Sequence, residues 1–311
     1  MPTLAIAGGT SPSLGRAIVS ALLSPRTKHW DALRAIDPEN KRTRIRTVDY
    51  LSVASLTSAL NGVHTLVSVT SATDGTQPQI QINLLRAAVQ AGCKRFAPAE
   101  WGFGPKAWGD AELAGMGYSE IQSGAFMNYI GLGMYPDQRD IDQNLALREM
   151  RDNDGHARGE DQVDGFGAFL IGLKNVIAEL PQKDDGSWPR ITMTSMIDVG
   201  HLSVASLDLP RWEEEMNIAG DTVTMEELLE YAEAVTGRKF EVDVLKRADI
   251  ETRKAVLAPD DFMGQVFAEL KLAYVRDEDD SVVLKPVVNH LCPDVRTTSV
   301  REYIEECWRT G

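Results

Sequence analysis

The stretch "LAIAGGTSPSLGRAI" at residues 4–18 decides the fold. Its first residues are small or branched and apolar, as in a strand buried on both faces. Gly8 and Gly9 then turn the chain. Leu14, Ala17, Ile18, Ala21 and Leu22 follow at helical spacing, which predicts a helix over 14–23. Strand, glycine turn and helix form the layout of a dinucleotide-binding turn. The usual spacing G-x-G-x-x-G is altered, because Ser11-Pro12-Ser13 stands where a middle glycine belongs. A loop one residue longer offsets that loss. Gly8 then serves the tight turn and Gly15 the close helix–strand packing. Thr10, Ser11 and Ser13 offer hydroxyl and backbone donors to a diphosphate at the positive end of the helix, with Pro12 and Leu14 completing the turn. An ordinary strand–helix turn rich in serine is the competing reading.

Outward from this turn, strand and helix signals alternate. Strands are predicted at 3–7, 31–36, 44–48, 64–69 and 95–98. A helix over 53–60 stops at Asn61-Gly62, and another opens at Pro78 and closes at Gly92. Such alternation implies right-handed crossovers and a parallel sheet covered on both faces. The second half differs. Residues 117–131 read as a strand and an aromatic-rich loop, and residues 190–202 as a strand running into a helix that starts near Asp198. Thr224 and Glu227 form a capping box for a helix ending at Thr236-Gly237. A strand follows at 241–246. The remainder reads as helical, with a turn or β piece at 282–288. Residues 134–165 carry nine acidic residues against four arginines and read as a surface loop, with a substrate lid as the sharper alternative. The expected fold is α/β: a Rossmann-type doubly wound parallel sheet over 1–133, to which parts of 190–220 return, with a smaller C-terminal α+β substrate lobe over 134–311.

Composition narrows the function classes. A net charge of −14 argues against a nucleic-acid partner, since such a surface must be basic to displace counterions. No apolar run approaches ~18 residues, so no membrane span is expected. The N-terminus enters a strand with no signal-peptide pattern, and Cys93, Cys292 and Cys307 show no ligand spacing. A cytoplasmic protein with reduced thiols and no metal is the resulting expectation; oligomeric state is not readable. The five histidines have no metal-ligand spacing, and no serine lies in a G-x-S-x-G elbow.

Ligands of doubly wound sheets lie outside the carboxyl ends of the strands. Three loops of this chain end there: the glycine turn, residues 70–73 with Thr70 and Ser71 beside a ribose, and Pro98-Ala99-Glu100-Trp101-Gly102. Glu100 is the candidate catalytic residue, as proton donor or as partner of an iminium charge; a salt bridge or helix cap is its structural alternative. Trp101, Phe103, Trp108, Phe126 and Tyr129 are candidates for an apolar substrate pocket, although each alone also suits a core. Asp37 lies ~20 residues past the turn, where an acid accepts the ribose 2′-hydroxyl of NAD. Lys41, Arg42 and Arg44 follow it and suit a 2′-phosphate instead.

The chain resembles the fungal isoflavone-reductase-like branch of the NmrA-like proteins, among the atypical short-chain dehydrogenases. The resemblance rests on "IAGGTSPSLGRAI" (6–18), "VDYLSVASLTSALNGVHTLVSV" (48–69), "AGCKRFAPAEWG" (91–102), "IQSGAFMNYIG" (121–131) and "PRITMTSMIDVGHLSVA" (189–205). It implies a Rossmann domain with a small substrate domain and NADP(H) as cofactor, with NAD(H) the alternative, its nicotinamide near the loop after the fifth strand. The reading that follows is a reductase of a C=C, C=N or C=O bond in secondary metabolism. An imine or iminium suits the sequence best, since the Glu100 carboxylate would stabilise its charge without a general-acid lysine. Such a pocket could also close a ring onto the iminium carbon, and the aromatic cluster suits a flat or polycyclic substrate. A non-catalytic dinucleotide sensor of the NmrA type is the other function the resemblance implies. The pattern departs from the family in one place. The helix between the "PAEWG" and "SGAF" segments, which bears a catalytic lysine in similar reductases, has too few residues here, and Lys106 does not inherit that role.

Overall fold

The computed structural model describes residues 3–9, 14–23, 44–72, 74–102, 117–131, 169–258, 261–276 and 282–310. The first sheet holds β1 (Leu4–Ala7), β2 (Thr65–Ser68), β3 (Arg95–Ala97) and β4 (Gly117–Tyr118), in that order and all parallel. Alternate side chains face opposite layers. Val67 and Ala97 join a cluster with Leu14 and Ile18 of α1 (Leu14–Leu23), while Leu66 and Phe96 join Leu56 of α2 (Val53–Ala59) and Leu84 of α3 (Gln77–Ala91). The apolar stripe read at 14, 17, 18 and 21 is thus the buried face of α1. Helix α3 carries Pro78 in its first turn and ends on Gly92 at φ 76°, a left-handed position that glycine occupies without strain.

The strand expected over 44–48 is not formed. Ile45 is 82% exposed, and the arginines flanking it keep their charge in water, where a central strand would have to desolvate them. The strand expected at 31–36, the acidic stretch 134–165 and Trp108 lie outside the described residues.

Two further sheets follow. β5 (Ala125–Phe126) pairs parallel with β8 (Arg190–Thr194), which pairs antiparallel with β9 (Asp221–Thr224). β6 (Ile171–Gly172), β7 (Ile177–Pro181) and β10 (Glu241–Leu245) form the third, with β7 central. Strand β8 leads into α4 (Met196–Ser206), and the capping box at Thr224 and Glu227 opens α5 (Met225–Thr236), closed by Gly237. Helices α6 (Arg247–Ala255), α7 (Phe262–Tyr274), α8 (Val287–Leu291) and α9 (Val300–Thr310) complete the chain. The 282–288 segment is a turn entering α8.

Helix α4 packs on α1 at unusually close range. A Cβ on Gly200 would lie 2.6 Å from the Ala17 carbonyl oxygen, so the approach requires glycine there. The helix start is capped by Ser195, whose hydroxyl accepts the Asp198 amide. Asp198 in turn accepts the Thr298 amide at 2.8 Å, which makes it a structural tie to the C-terminal region. No helix among the described residues is long and apolar enough to cross a membrane. The three cysteines are free thiols.

Candidate active site

Because β1, β2 and β3 run parallel, their carboxyl ends open on one edge of the sheet. The loops there carry Gly8-Gly9, Val69 to Ser71, and Pro98 to Gly102. Gly8 has φ 82°, and a Cβ on it would stand 3.0 Å from the Val69 carbonyl. Only glycine lets the first turn lie this close to the second loop. The Gly8 amide donates to the Tyr50 hydroxyl at 3.0 Å. Leu14 and Gly15 are buried at the start of α1. Thr10, Ser11, Pro12 and Ser13, which connect the two, lie outside the described residues, as do Asp37, Arg42 and Phe103. A glycine cradle whose space a side chain would fill, followed by the start of a helix with its positive dipole end, fits a dinucleotide diphosphate.

Two glutamines that sequence reasoning missed organise this edge. Gln81, 3% exposed, donates from Nε2 to Thr70 Oγ1 at 2.7 Å and to Ser68 Oγ at 3.2 Å. Its Oε1 accepts the Ala99 amide at 3.0 Å. Gln77 donates to the Thr70 carbonyl at 2.8 Å. Helix α3 therefore ties the loop after β2 to the loop after β3. The available signal was Gln81 itself, a polar residue on a helix face otherwise made of Ile80, Leu84, Leu85 and Ala88. Thr70 is brought into this network, whereas Ser71 is exposed beside it.

Glu100 follows directly. Its neighbours are fixed on both sides: Ala99 by Gln81, and Trp101 by a hydrogen bond from its indole N–H to the Ser68 carbonyl at 2.8 Å. The Glu100 Oε1 atom is buried and has no hydrogen-bond partner among the described residues. Burial pushes its carboxyl up to about 7, and the nearby Glu120 carboxylate adds to the effect. A buried carboxyl oxygen without a partner calls for an explanation. Glu120 was also missed. It is 3% exposed, held by backbone bonds to Glu214 and Met216 on an extended segment beside residues 214–216.

Of the aromatic residues expected to line a pocket, Trp101, Phe126 and Tyr129 are described, and they pack in two clusters. Trp101 is 7% exposed and packs in the core under the first sheet; its carbonyl accepts the Ser123 amide at 2.9 Å and the Ser123 hydroxyl at 2.7 Å. With its N–H and its ring both engaged, it acts as a pillar beneath Glu100. Phe126 packs half-buried against the same cluster. Tyr129 belongs to another, where its ring meets Phe169 at 5.1 Å and Phe267 at 5.9 Å. Pro98 is buried and Ala99 half-buried, both next to Glu100.

The parallel sheet, its covering helices and the glycine cradle make a Rossmann-type α/β fold, the fold expected from the sequence. No protein-family model matches the chain. Comparison with known proteins finds similar chains. Oxidoreductase BOA1 of Botryotinia fuckeliana (strain B05.10) is 28% identical over 262 residues, covering 77% of this chain and 78% of that protein. Oxidoreductase swnN of Metarhizium robertsii (strain ARSEF 23 / ATCC MYA-3075) is 25% identical over 348 residues, covering 99% and 98%. A solved structure of AtPrR2 with NADP+ and (+)-pinoresinol superposes with a TM-score of 0.67 at 18% identity, covering 98% of each chain.

Proposed function

We propose that the protein is an NADP(H)-dependent reductase that acts on a C=N bond, or on a C=C or C=O bond, in a small polycyclic secondary metabolite, with Glu100 as its proton donor. The naming of both relatives as oxidoreductases and the NADP+ held by AtPrR2 support the cofactor and the reaction class. The single observation that carries the role of Glu100 is its buried, unbonded carboxyl oxygen at the carboxyl edge of the sheet.

The glycine turn and the start of α1 would hold the diphosphate, and Thr70, oriented by Gln77 and Gln81, would contact a ribose of the bound dinucleotide. When bound, the cofactor supplies a hydride. This chain supplies the proton. Near pH 7 Glu100 is present in both protonation states. Its acid form protonates an imine nitrogen, and the resulting carboxylate then faces the iminium cation. Proton and hydride together convert the imine to the amine, so the reaction balances. Where a substrate nucleophile adds to the same carbon in place of hydride, the new bond replaces the C=N π bond, whose electrons return to nitrogen, and the Glu100 carboxylate takes the proton that the nucleophile loses. No lysine is required in this scheme. Phe126 is the described aromatic that best serves as an apolar wall. The proposal includes a substrate lobe over 134–311 returning onto the core through α4, and a cytoplasmic location, which the free cysteines support.

The test is turnover of imines, enones and aldehydes by wild type and Glu100→Gln with NADPH, alongside fluorescence titration of NADPH. The glutamine variant is expected to keep NADPH affinity and to lose imine turnover by about 100-fold or more. Full activity in that variant overturns the assignment. Binding of NADPH by the wild type without turnover of any compound, together with a co-purifying regulator, would instead establish the sensor reading.

A further inference from the structure

We propose that Tyr50 is a cofactor contact whose phenol O–H donates to an oxygen of the adenosine diphosphate half of the dinucleotide. The inference rests on the dinucleotide reading of the crevice and adds a residue to it. Tyr50 lies after residues 44–49, far from the glycine turn in sequence, yet its hydroxyl oxygen accepts the Gly8 amide at 3.0 Å. A phenol has one hydrogen. An oxygen that accepts from Gly8 must turn that hydrogen away from Gly8. Among the described residues the hydroxyl makes no other hydrogen bond; the other bond of Tyr50 is made by its carbonyl, which accepts from Asn83 Nδ2 at 3.1 Å. Among the described residues that donor has no acceptor, and it lies beside Gly8.

The donor is held rather than swinging. The Tyr50 ring packs on the cluster of Leu56, Leu60 and Leu66. The turn before α2 is stitched by Asp49, whose carboxylate accepts the Leu51 amide at 2.9 Å and whose carbonyl accepts the Ser52 amide at 3.1 Å. The sheet order fixes which half of the ligand it meets. Glu100, at the reacting end, follows β3, whereas Gly8 follows β1, two strands or about 10 Å away. A dinucleotide with its nicotinamide at Glu100 brings its adenosine diphosphate half to Gly8 and Tyr50. The acceptor is a ribose or a phosphate oxygen; both are oxygens of that same half.

The experiment compares wild type with Tyr50→Phe, which keeps the packed ring, in titrations with NADPH, ADP-ribose, nicotinamide mononucleotide and inorganic pyrophosphate. The expected result is a rise in Kd of about 5- to 10-fold for NADPH and ADP-ribose, with nicotinamide mononucleotide unaffected. A matching loss for pyrophosphate assigns the bond to phosphate, and no such loss assigns it to ribose; either supports the contact. Unchanged or tighter ADP-ribose binding overturns it, the latter because the hydroxyl would then be covering an amide the ligand needs. If wild type binds neither NADPH nor ADP-ribose, the dinucleotide reading itself has failed, a result distinct from a normal wild type with an unaffected variant. Thermal melting of each variant checks the fold, and Tyr50→Trp repeats the titration if the phenylalanine variant proves unstable.

Discussion

The backbone amide of Ala99 is held by Oε1 of Gln81 at 3.0 Å, and the other end of the same side chain reaches Thr70. One buried amide group therefore sets the spacing between the loop beside the proposed ribose and the loop that presents Glu100. In Gln81→Leu the Ala99 amide and the Thr70 hydroxyl lose a buried partner. The expected cost is about 1–3 kcal/mol of stability, read as a lower urea midpoint at unchanged slope. Turnover should fall further than NADPH affinity does, because the Ala99 side of the link carries the acid. Equal losses in both would mean that Gln81 serves only the cofactor.

Glu100 links the site to stability through pH. Its carboxyl titrates at about 7 in the fold against an ordinary value of 4.5. The folded chain therefore holds a proton that the unfolded chain releases above 4.5, and stability falls as pH rises from 4.5 through 7. Glu100→Gln removes that loss. Allowing for solvent screening of a half-buried group, the variant should be more stable than wild type by about 1–2 kcal/mol at pH 8 and no more stable at pH 4. Urea titrations at the two pH values check this. A gain of the same size at both would point to packing rather than charge.

The elements that the sequence made legible are those whose signal is local. The stripe from Leu14 to Ala21, the proline and glycine bracketing α3, and the capping box at Thr224 each depend on residues within a few positions of one another. Residues 44–48 alternate like a strand, and the cost of desolvating Arg44 and Arg46, which leaves Ile45 in water, outweighs that pattern. The other failures were non-local. The short strands β6 and β9 exist only through their pairing partners. At the site, Glu100 was readable from its place after a strand. Gln81, Tyr50 and Glu120 were not, because each acts on a loop from a distant part of the chain. That Trp101 would take the core place open to it was not legible either, because its indole partner, the Ser68 carbonyl, lies on another strand.

Gly200 is needed for the seat of the first helix. A methyl group there would lie 2.6 Å from the Ala17 carbonyl oxygen, so α1 and α4 must part. Gly200→Ala should cost about 1–3 kcal/mol, as overpacked interiors do, despite the better helix propensity of alanine. Since α1 begins where the glycine turn ends, NADPH affinity should weaken along with the melting temperature. An alanine variant as stable as wild type would show that the two helices separate freely.

The proton that Glu100 supplies gives the reaction a pH signature that depends on the substrate. A neutral imine needs the acid form, so kcat/KM for it should fall about tenfold per pH unit once the pH passes the Glu100 value near 7. A substrate already carrying a permanent iminium charge needs no proton and is favoured by the carboxylate, so its kcat/KM should rise over the same interval and level off above it. In Glu100→Gln both slopes should vanish, because the amide neither ionises nor gives up a proton. Profiles from pH 5.5 to 9 with one substrate of each kind make the comparison, corrected for free imine protonation in solution. Two profiles that bend in the same direction would remove Glu100 from the proton's path, even if its replacement still slowed the enzyme.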